Sequence, residues 1–275
     1  MKINHRAGIF PALLERSFFM ENKLSDFLVQ HIRQWFRENG RDTAVIGISG
    51  GKDSTVVAAL CARALGPQNV VGVLMPDGVQ PDIQDSFEVV DHLAIPYTVI
   101  NLDPITSGFR AAFSHQVVKG LSVAPEDPPI SVPAAINVPA RIRMAALYCV
   151  AQSLPGRHAA VVGTGNAAEA YVGYCTKWGD AASDFAPIRE LWVHQVVAVG
   201  RELGLPEHLL VKPPADGLSG QTDEDRLGFT YGMVYHVATG QHVPEDKLKR
   251  IREMHERSVH KRTQIPTISL SGFQK

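Results

Sequence analysis

The stretch Ala44-Val45-Ile46-Gly47-Ile48-Ser49-Gly50-Gly51-Lys52-Asp53-Ser54-Thr55 decides the fold. Its first five residues form a short apolar run rich in branched side chains, as a buried strand requires, and the small residues Ala58, Ala59, Ala62 and Ala64 that follow fit a helix. The paired glycines therefore sit on a strand-to-helix turn. Adjacent glycines let the backbone approach an anion with no Cβ in the way, and the free N–H groups at the helix start favour negative charge. Ser49, Ser54 and Thr55 add hydroxyl donors. The turn reads as a phosphate cradle.

The wording of the loop separates it from a Walker A motif, which needs Gly-Lys followed by Ser or Thr; here Lys52 is followed by Asp53. A carboxylate inside an anion site implies a cation that offsets its repulsion from phosphate, and magnesium is the ordinary choice. Asp53 reads either as such a ligand or as a cap of the following helix.

Composition sets wide limits. With 275 residues, 45% of them hydrophobic and 20% charged, the chain is long enough for one large α/β domain. The expected division is an N-terminal extension over 1–22 and a single domain over 23–275. A net charge of −1 gives no general pull toward nucleic acid or anionic membrane, so anion binding must be local. Cys61, Cys149 and Cys175 are widely spaced and odd in number, which argues against a disulfide framework and fits a reducing cytoplasm. No apolar stretch is long enough to span a bilayer.

Along the chain, Leu24, Phe27, Leu28, Ile32, Trp35 and Phe36 fall at helical spacing, with Asn39-Gly40 as a stop. Strands are predicted over 70–75 and 97–102, with a helix over 82–93 between them. Five prolines between 121 and 139 predict a long loop. A helix over 140–153 and a fourth strand over 159–163 follow, the latter ending in Thr164-Gly165-Asn166. The βαβ alternation predicts an α/β fold, a doubly wound parallel sheet with helices on both faces and ligands at the carboxyl ends of its strands.

The Ser-Gly-Gly-x-Asp-Ser-Thr loop resembles that of enzymes that split ATP into AMP and pyrophosphate. The order of later motifs narrows the likeness. Asn137 to Met144 is followed by Val162-Gly163-Thr164-Gly165-Asn166, Glu169, then Gly173-Tyr174-Cys175-Thr176-Lys177-Trp178-Gly179-Asp180. Asp216-Gly217-Leu218-Ser219-Gly220-Gln221-Thr222-Asp223 and His260-Lys261-Arg262 come last. Over roughly 26–266 this series resembles the ammonia-dependent NAD synthetases.

That resemblance implies an adenine nucleotide α-hydrolase-like, Rossmann-like fold and an ATP-dependent amidation of deamido-NAD through an acyl-adenylate. It implies ATP contacts at Gly47, Ile48, Ser49, Gly50, Gly51, Lys52, Asp53, Ser54 and Thr164. It implies magnesium ligands at Asp53 and Glu169, with Lys52 as a further catalytic candidate, and deamido-NAD contacts at Arg141, Lys177, Asp184, His260 and Lys261. A homodimer is implied, with free ammonia as nitrogen donor. Three positions depart from the pattern: Asp77 stands where a tyrosine is common before Gly78, Val193 where a lysine is common, and Ala215 where a hydroxyl residue is. Lys52 or Lys212 is the expected substitute cation, and the stretch 213–224 reads as a loop over the site. The competing readings are a tRNA-modifying ligase, which should show a basic aromatic face, and a non-catalytic ATP-binding regulator.

Overall fold

The computed structural model describes residues 23–113, 130–212 and 222–269. Helix α1 (Leu24–Glu38) ends at Asn39-Gly40 and leads into strand β1 (Thr43–Gly47). Helix α2 (Lys52–Leu65) follows the glycine turn and stops at Gly66, whose positive φ of 89° no helix continues. Strand β2 (Val70–Leu74), helix α3 (Ile83–His92) and strand β3 (Tyr97–Val99) complete the first half. Helices α4 (Asp103–Ala112) and α5 (Val132–Ser153) precede strand β4 (Ala159–Val161). Helices α6 (Ala167–Val172), α7 (Val193–Glu202) and α8 (Glu207–Val211) come next, then α9 (Asp223–Leu227), α10 (Tyr231–Ala238) and α11 (Glu245–Arg257).

The four strands are parallel, in the order β3-β2-β1-β4. Side chains alternate across the sheet as the pleat requires. Ala44 and Ile46 face a core built with α1, α2, α3, α7 and α8, whereas Val45 faces the core on α5, with Val73, Val161, Leu147 and Ala151. Burial on both faces is why the strand read as an unbroken apolar run. A third cluster joins Ala168 and Val172 of α6 to Leu227, Phe229, Tyr231, Val234 and Ile251.

Several elements differ from their sequence reading, among them strand β4, which ends at Val161, two residues short of the expected bound. The expected loop before residue 140 is helical from Val132 onward, eight residues early. Ser131 caps the start by accepting from the Ala134 N–H, and Pro133 sits in the first turn, where a missing N–H costs nothing. Pro139, deeper in, removes one helical donor, and the Asn137 side-chain amide donates to the Pro133 carbonyl at 2.7 Å beside the interruption. The rest of that expected loop, 114–129, lies outside the described residues. Strand β3 is short, although the Ile100 and Leu102 N–H groups still donate to the Leu74 and Pro76 carbonyls.

Order β3-β2-β1-β4 puts a topological switch between β1 and β4: the chain leaves β1 toward β2 and returns far later beside β1 on its other side. Loops leaving two such strands diverge, and the crevice between them collects ligands. Phe36, 1% exposed in the core on the α1 side of the sheet, packs edge-on to Trp35 and Phe185 at 5.3 and 6.4 Å. Phe36→Ala should lower the free energy of unfolding by about 3–5 kcal/mol. Urea titration checks this; a loss below 1 kcal/mol, on the order of a surface change, would contradict the packing.

Candidate active site

The loop leaving β1 is built by its own hydroxyls. Ile48 N–H still pairs with the Val73 carbonyl, and the chain then turns. Ser49 and Ser54 hydroxyls meet at 3.1 Å, the Gly51 N–H donates to the Ser49 hydroxyl, and the Ser54 and Thr55 hydroxyls donate back to the Gly51 carbonyl. Gly51 caps α2 without a side chain, so the first-turn N–H groups of Lys52, Asp53 and Ser54 keep their capacity for an anion. Gly50 is required twice over. Its φ is +76°, and a Cβ there would stand 2.7 Å from the Asp85 Cβ and 2.9 Å from the Ser86 backbone nitrogen. The loop is thus pressed against α3.

Across the switch point, the chain leaves β4 through Gly163, Thr164 and Gly165 into a short helix with a reciprocal cap. The Asn166 side-chain oxygen accepts from the Ala168 and Glu169 N–H groups, and a Glu169 carboxylate oxygen accepts from the Asn166 N–H at 3.0 Å. The fully buried Asn166 also donates its side-chain amide to Asp53 at 3.3 Å, which ties the two loops together. Lys52, 5% exposed, lies 2.9 Å from Asp53. Burial works against its charge, but Asp53 and then Glu169 hold its pKa above the ordinary lysine value. For Glu169, burial and the Asp53 carboxylate push the pKa up to about 8. Two carboxylates are being held close in a poorly solvated place, an arrangement that a small divalent cation would relieve.

Two contiguous cavities open between these loops. One is polar and lined by Ser49, Gly51, Lys52, Asp53, Ser54, Thr164, Glu169, Arg189, Lys212 and Asp223. The other, of about 290 Å³, is mostly apolar and lined by Gly47, Ile48, Met75, Met144, Leu147 and Val162, with Arg143 and Gln80 as polar points. They share Ser49, Thr164, Asp82 and Asp180. An apolar slot continuing into a cleft that carries backbone amides and cations suits a ligand with an apolar ring system and an anionic tail.

The model of the family described as NAD synthase matches residues 24–265. The chain belongs to the NAD synthase family. It is 37% identical over 253 residues to the NH(3)-dependent NAD(+) synthetase of Pyrococcus horikoshii, covering 86% of this chain and 92% of that one. A second such enzyme, from Methanococcoides burtonii, is 37% identical over 254 residues, 86% and 91% of the two chains. Among solved structures, the NMN synthetase of Francisella tularensis superposes with a TM-score of 0.76 at 32% identity, covering 90% of this chain and 99% of that one.

In this chain, the residues expected to meet ATP and magnesium converge: Gly47, Ile48, Ser49, Gly51, Lys52, Asp53, Ser54, Thr164 and Glu169 all line the paired cavities, and Gly50 shapes the turn behind them. Among the described residues no group of three or more His, Cys, Asp or Glu is placed to hold a metal, so the carboxylate pair stands by itself.

The residues expected to meet deamido-NAD are dispersed within one chain. Asp184 accepts from the Val161 N–H at 2.8 Å and the Tyr148 hydroxyl at 3.2 Å, which fastens β4. The Lys261 ammonium donates to the Gly173 and Cys175 carbonyls at 2.7 and 2.6 Å, holding the loop that carries Lys177. The Lys177 ammonium stands 5.4 Å from the ring centre of Trp178, a residue with φ of +60°. Arg141 lines a separate apolar hollow with Phe109, Phe113 and Val138, and His260 is exposed.

The expected substitute cations are in the cleft but occupied. Lys212 lies 2.6 Å from Asp82 and 2.5 Å from Asp85, and Lys52 pairs with Asp53. Val193 packs on the apolar cluster of α6 and α10, away from both cavities. Most of the expected loop over the site, 213–221 with Ala215, lies outside the described residues, while Asp223 and Glu224 begin α9, capped by Thr222, in place of the expected loop. Sequence reasoning missed Arg189, Asn166 as the tie to Asp53, and Asp223 as a cleft carboxylate. Only the cap spacing from Asn166 to Glu169 carried a local signal.

Two consequences are testable. Gly50→Ala should push the loop off α3, weakening ATP binding about tenfold or more by titration calorimetry. The native Glu169 carboxyl holds its proton to about pH 8, whereas an unfolded one releases it near 4.5. The native state therefore binds more protons across that window, and its stability falls as pH rises through it. In divalent-free buffer, Glu169→Gln should be neutral near pH 5 and stabilising near pH 8.5 by about 1.4 kcal/mol or more, read by urea unfolding. Equal effects at both pH values would contradict the assignment.

Proposed function

We propose that this chain catalyses the ATP-dependent amidation of deamido-NAD by ammonia, giving NAD, AMP and pyrophosphate. The observation that carries the reading is the joining of an anion cradle, a carboxylate pair and an apolar slot at one switch point. The adenine lies in the slot between Met75 and Leu147, and the phosphates run over Gly51 to Ser54. A nicotinate carboxylate oxygen attacks the α-phosphorus, the bond to pyrophosphate breaks with its electron pair on the leaving oxygen, and an acyl-adenylate forms. Ammonia then adds to the activated carbonyl, a proton is lost and AMP departs. Such transfers ask the protein for positioning and charge neutralisation. The cradle amides and the Ser49, Ser54 and Thr164 hydroxyls suit that work.

Asp53 and Glu169 would hold magnesium, hard oxygens for a hard cation that keeps several waters. Bound there, the ion would neutralise charge on the phosphate oxygens.

The dispersed contacts Arg141, Lys177, Asp184, His260 and Lys261 fit a dinucleotide laid across a boundary between two copies. Ile105, Phe109, Val132 and Ile136 of α4 and α5, from 42 to 67% exposed, form the apolar face beside Arg141 on which a homodimer would close. Among the described residues no helix is long and apolar enough to cross a membrane, and the cytoplasm is the proposed compartment.

The likeness to an NMN synthetase supports a second reading, in which the acceptor is the shorter nicotinate mononucleotide. Purified protein with ATP, magnesium, ammonium and either acceptor should form amidated product and AMP one for one, only with all components present. Asp53→Asn should lower kcat by about 10² or more. AMP without amidated product would overturn the ligase reading; a larger kcat/KM for the mononucleotide would replace the dinucleotide as substrate.

A further inference from the structure

Among the described residues, three cations reach the polar cleft: Lys52, Lys212 and Arg189. Lys52 is matched by Asp53, and Lys212 is matched twice, by Asp82 and Asp85. With Glu169 and Asp223 also present, carboxylates outnumber cations in a cleft shaped for a polyanion. No ion pair among the described residues engages the Arg189 side chain. It is the cation whose charge remains for a ligand.

Its position is fixed by the fold. Arg189 follows Ile188, which is fully buried in the main core, and the Leu191 N–H donates to the Ile188 carbonyl while the Leu191 carbonyl accepts from the Ala167 N–H. The turn bearing Arg189 is thereby bonded to the start of α6, the helix that carries Glu169. The guanidinium lies along Gly165: Nη1 is 3.9 Å from the point a Cβ on that glycine would occupy, and the Glu169 Oε2 is 3.6 Å from the same point. Absence of a side chain at 165 leaves the space between them open to the cleft. The position that the family resemblance assigns to a lysine, Val193, starts α7 and is packed into the apolar cluster, so no charge comes from there.

We propose that Arg189 is the phosphate-binding cation of this cleft, forking onto the terminal phosphates of ATP and holding pyrophosphate as it leaves. A guanidinium presents a rigid planar set of donors that matches two phosphate oxygens at once, and it cannot lose its proton near neutral pH. It lines the same cleft as the cradle residues Gly51 to Ser54, from the Gly165 turn. When the bond from the α-phosphorus to the bridging oxygen breaks, the electron pair stays on pyrophosphate, and Arg189 meets that growing charge.

This assignment rests on the ligase reading, and the test separates the two. Parent enzyme, Arg189→Leu and Arg189→Lys are compared for steady-state rates, for inhibition by pyrophosphate, and for calorimetric binding of magnesium-ATP without acceptor. The expected result is a fall of about 10² in kcat for Arg189→Leu. Pyrophosphate inhibition should weaken about tenfold or more, and the lysine variant should recover part of both, with KM for ammonium unchanged. Arg189→Leu with parental kcat and parental pyrophosphate inhibition overturns the proposal. Should the parent not turn over, the ligase reading fails, while ATP affinity in the variants still judges Arg189: equal affinity in all three removes it. Should Arg189→Leu not fold, Arg189→Gln takes its place, judged by the same inhibition constant.

Discussion

The hydrogen-bonded pairing of β1 with β4 is the constraint from which the rest of the site follows. Thr43 is opposite Ala159 and Val45 opposite Val161, so two strands more than a hundred residues apart end side by side. Their exits supply the two halves of the cleft, the cradle with Asp53 and the capped turn with Glu169. Asn166 then bonds across the gap to Asp53. Without that pairing, the cradle would be a helix start with no opposing carboxylate. Because all four strands are parallel and buried on both faces, the pairing is secured by two separate cores, one on either side of the sheet.

Charge in the cleft is arranged for exchange. Lys52 with Asp53, and Lys212 with Asp82 and Asp85, are short internal pairs, while Glu169 is driven toward its neutral form by burial and by Asp53. A nucleotide arriving with a divalent cation would supply both signs of charge together. The buried carboxylate then gains a positive partner as the phosphates gain one, and the internal pairs need not be broken without replacement. Metal and nucleotide would therefore bind together, and among the described residues Arg189 is the cleft cation with no carboxylate paired to it.

Much of this was legible in the chain because it is written locally. The apolar run before Ser49, the glycines at 50 and 51, and the spacing from Asn166 to Glu169 each act through neighbours in sequence. The helix through Pro133 and Pro139 was not legible, since a proline count cannot tell a first-turn proline from a loop proline. Lys212 was found as a cation but not as one already paired, because Asp82 and Asp85 reach it only through tertiary packing. Arg189 was invisible for the same reason: nothing in Pro187-Ile188-Arg189-Glu190 distinguishes it from a surface turn. Asp184 and Lys261 were legible as family positions, yet within the chain their side chains serve β4 and the loop at 173–175.

A crystal structure with magnesium and a non-hydrolysable ATP analogue tests the central claim most directly. The account predicts phosphates on the amides of Gly51 to Ser54, a metal bonded to Asp53 and Glu169, and adenine in the slot of Met75 and Leu147. A nucleotide bound away from the switch point, or one whose phosphates avoid both strand-exit loops, would contradict it.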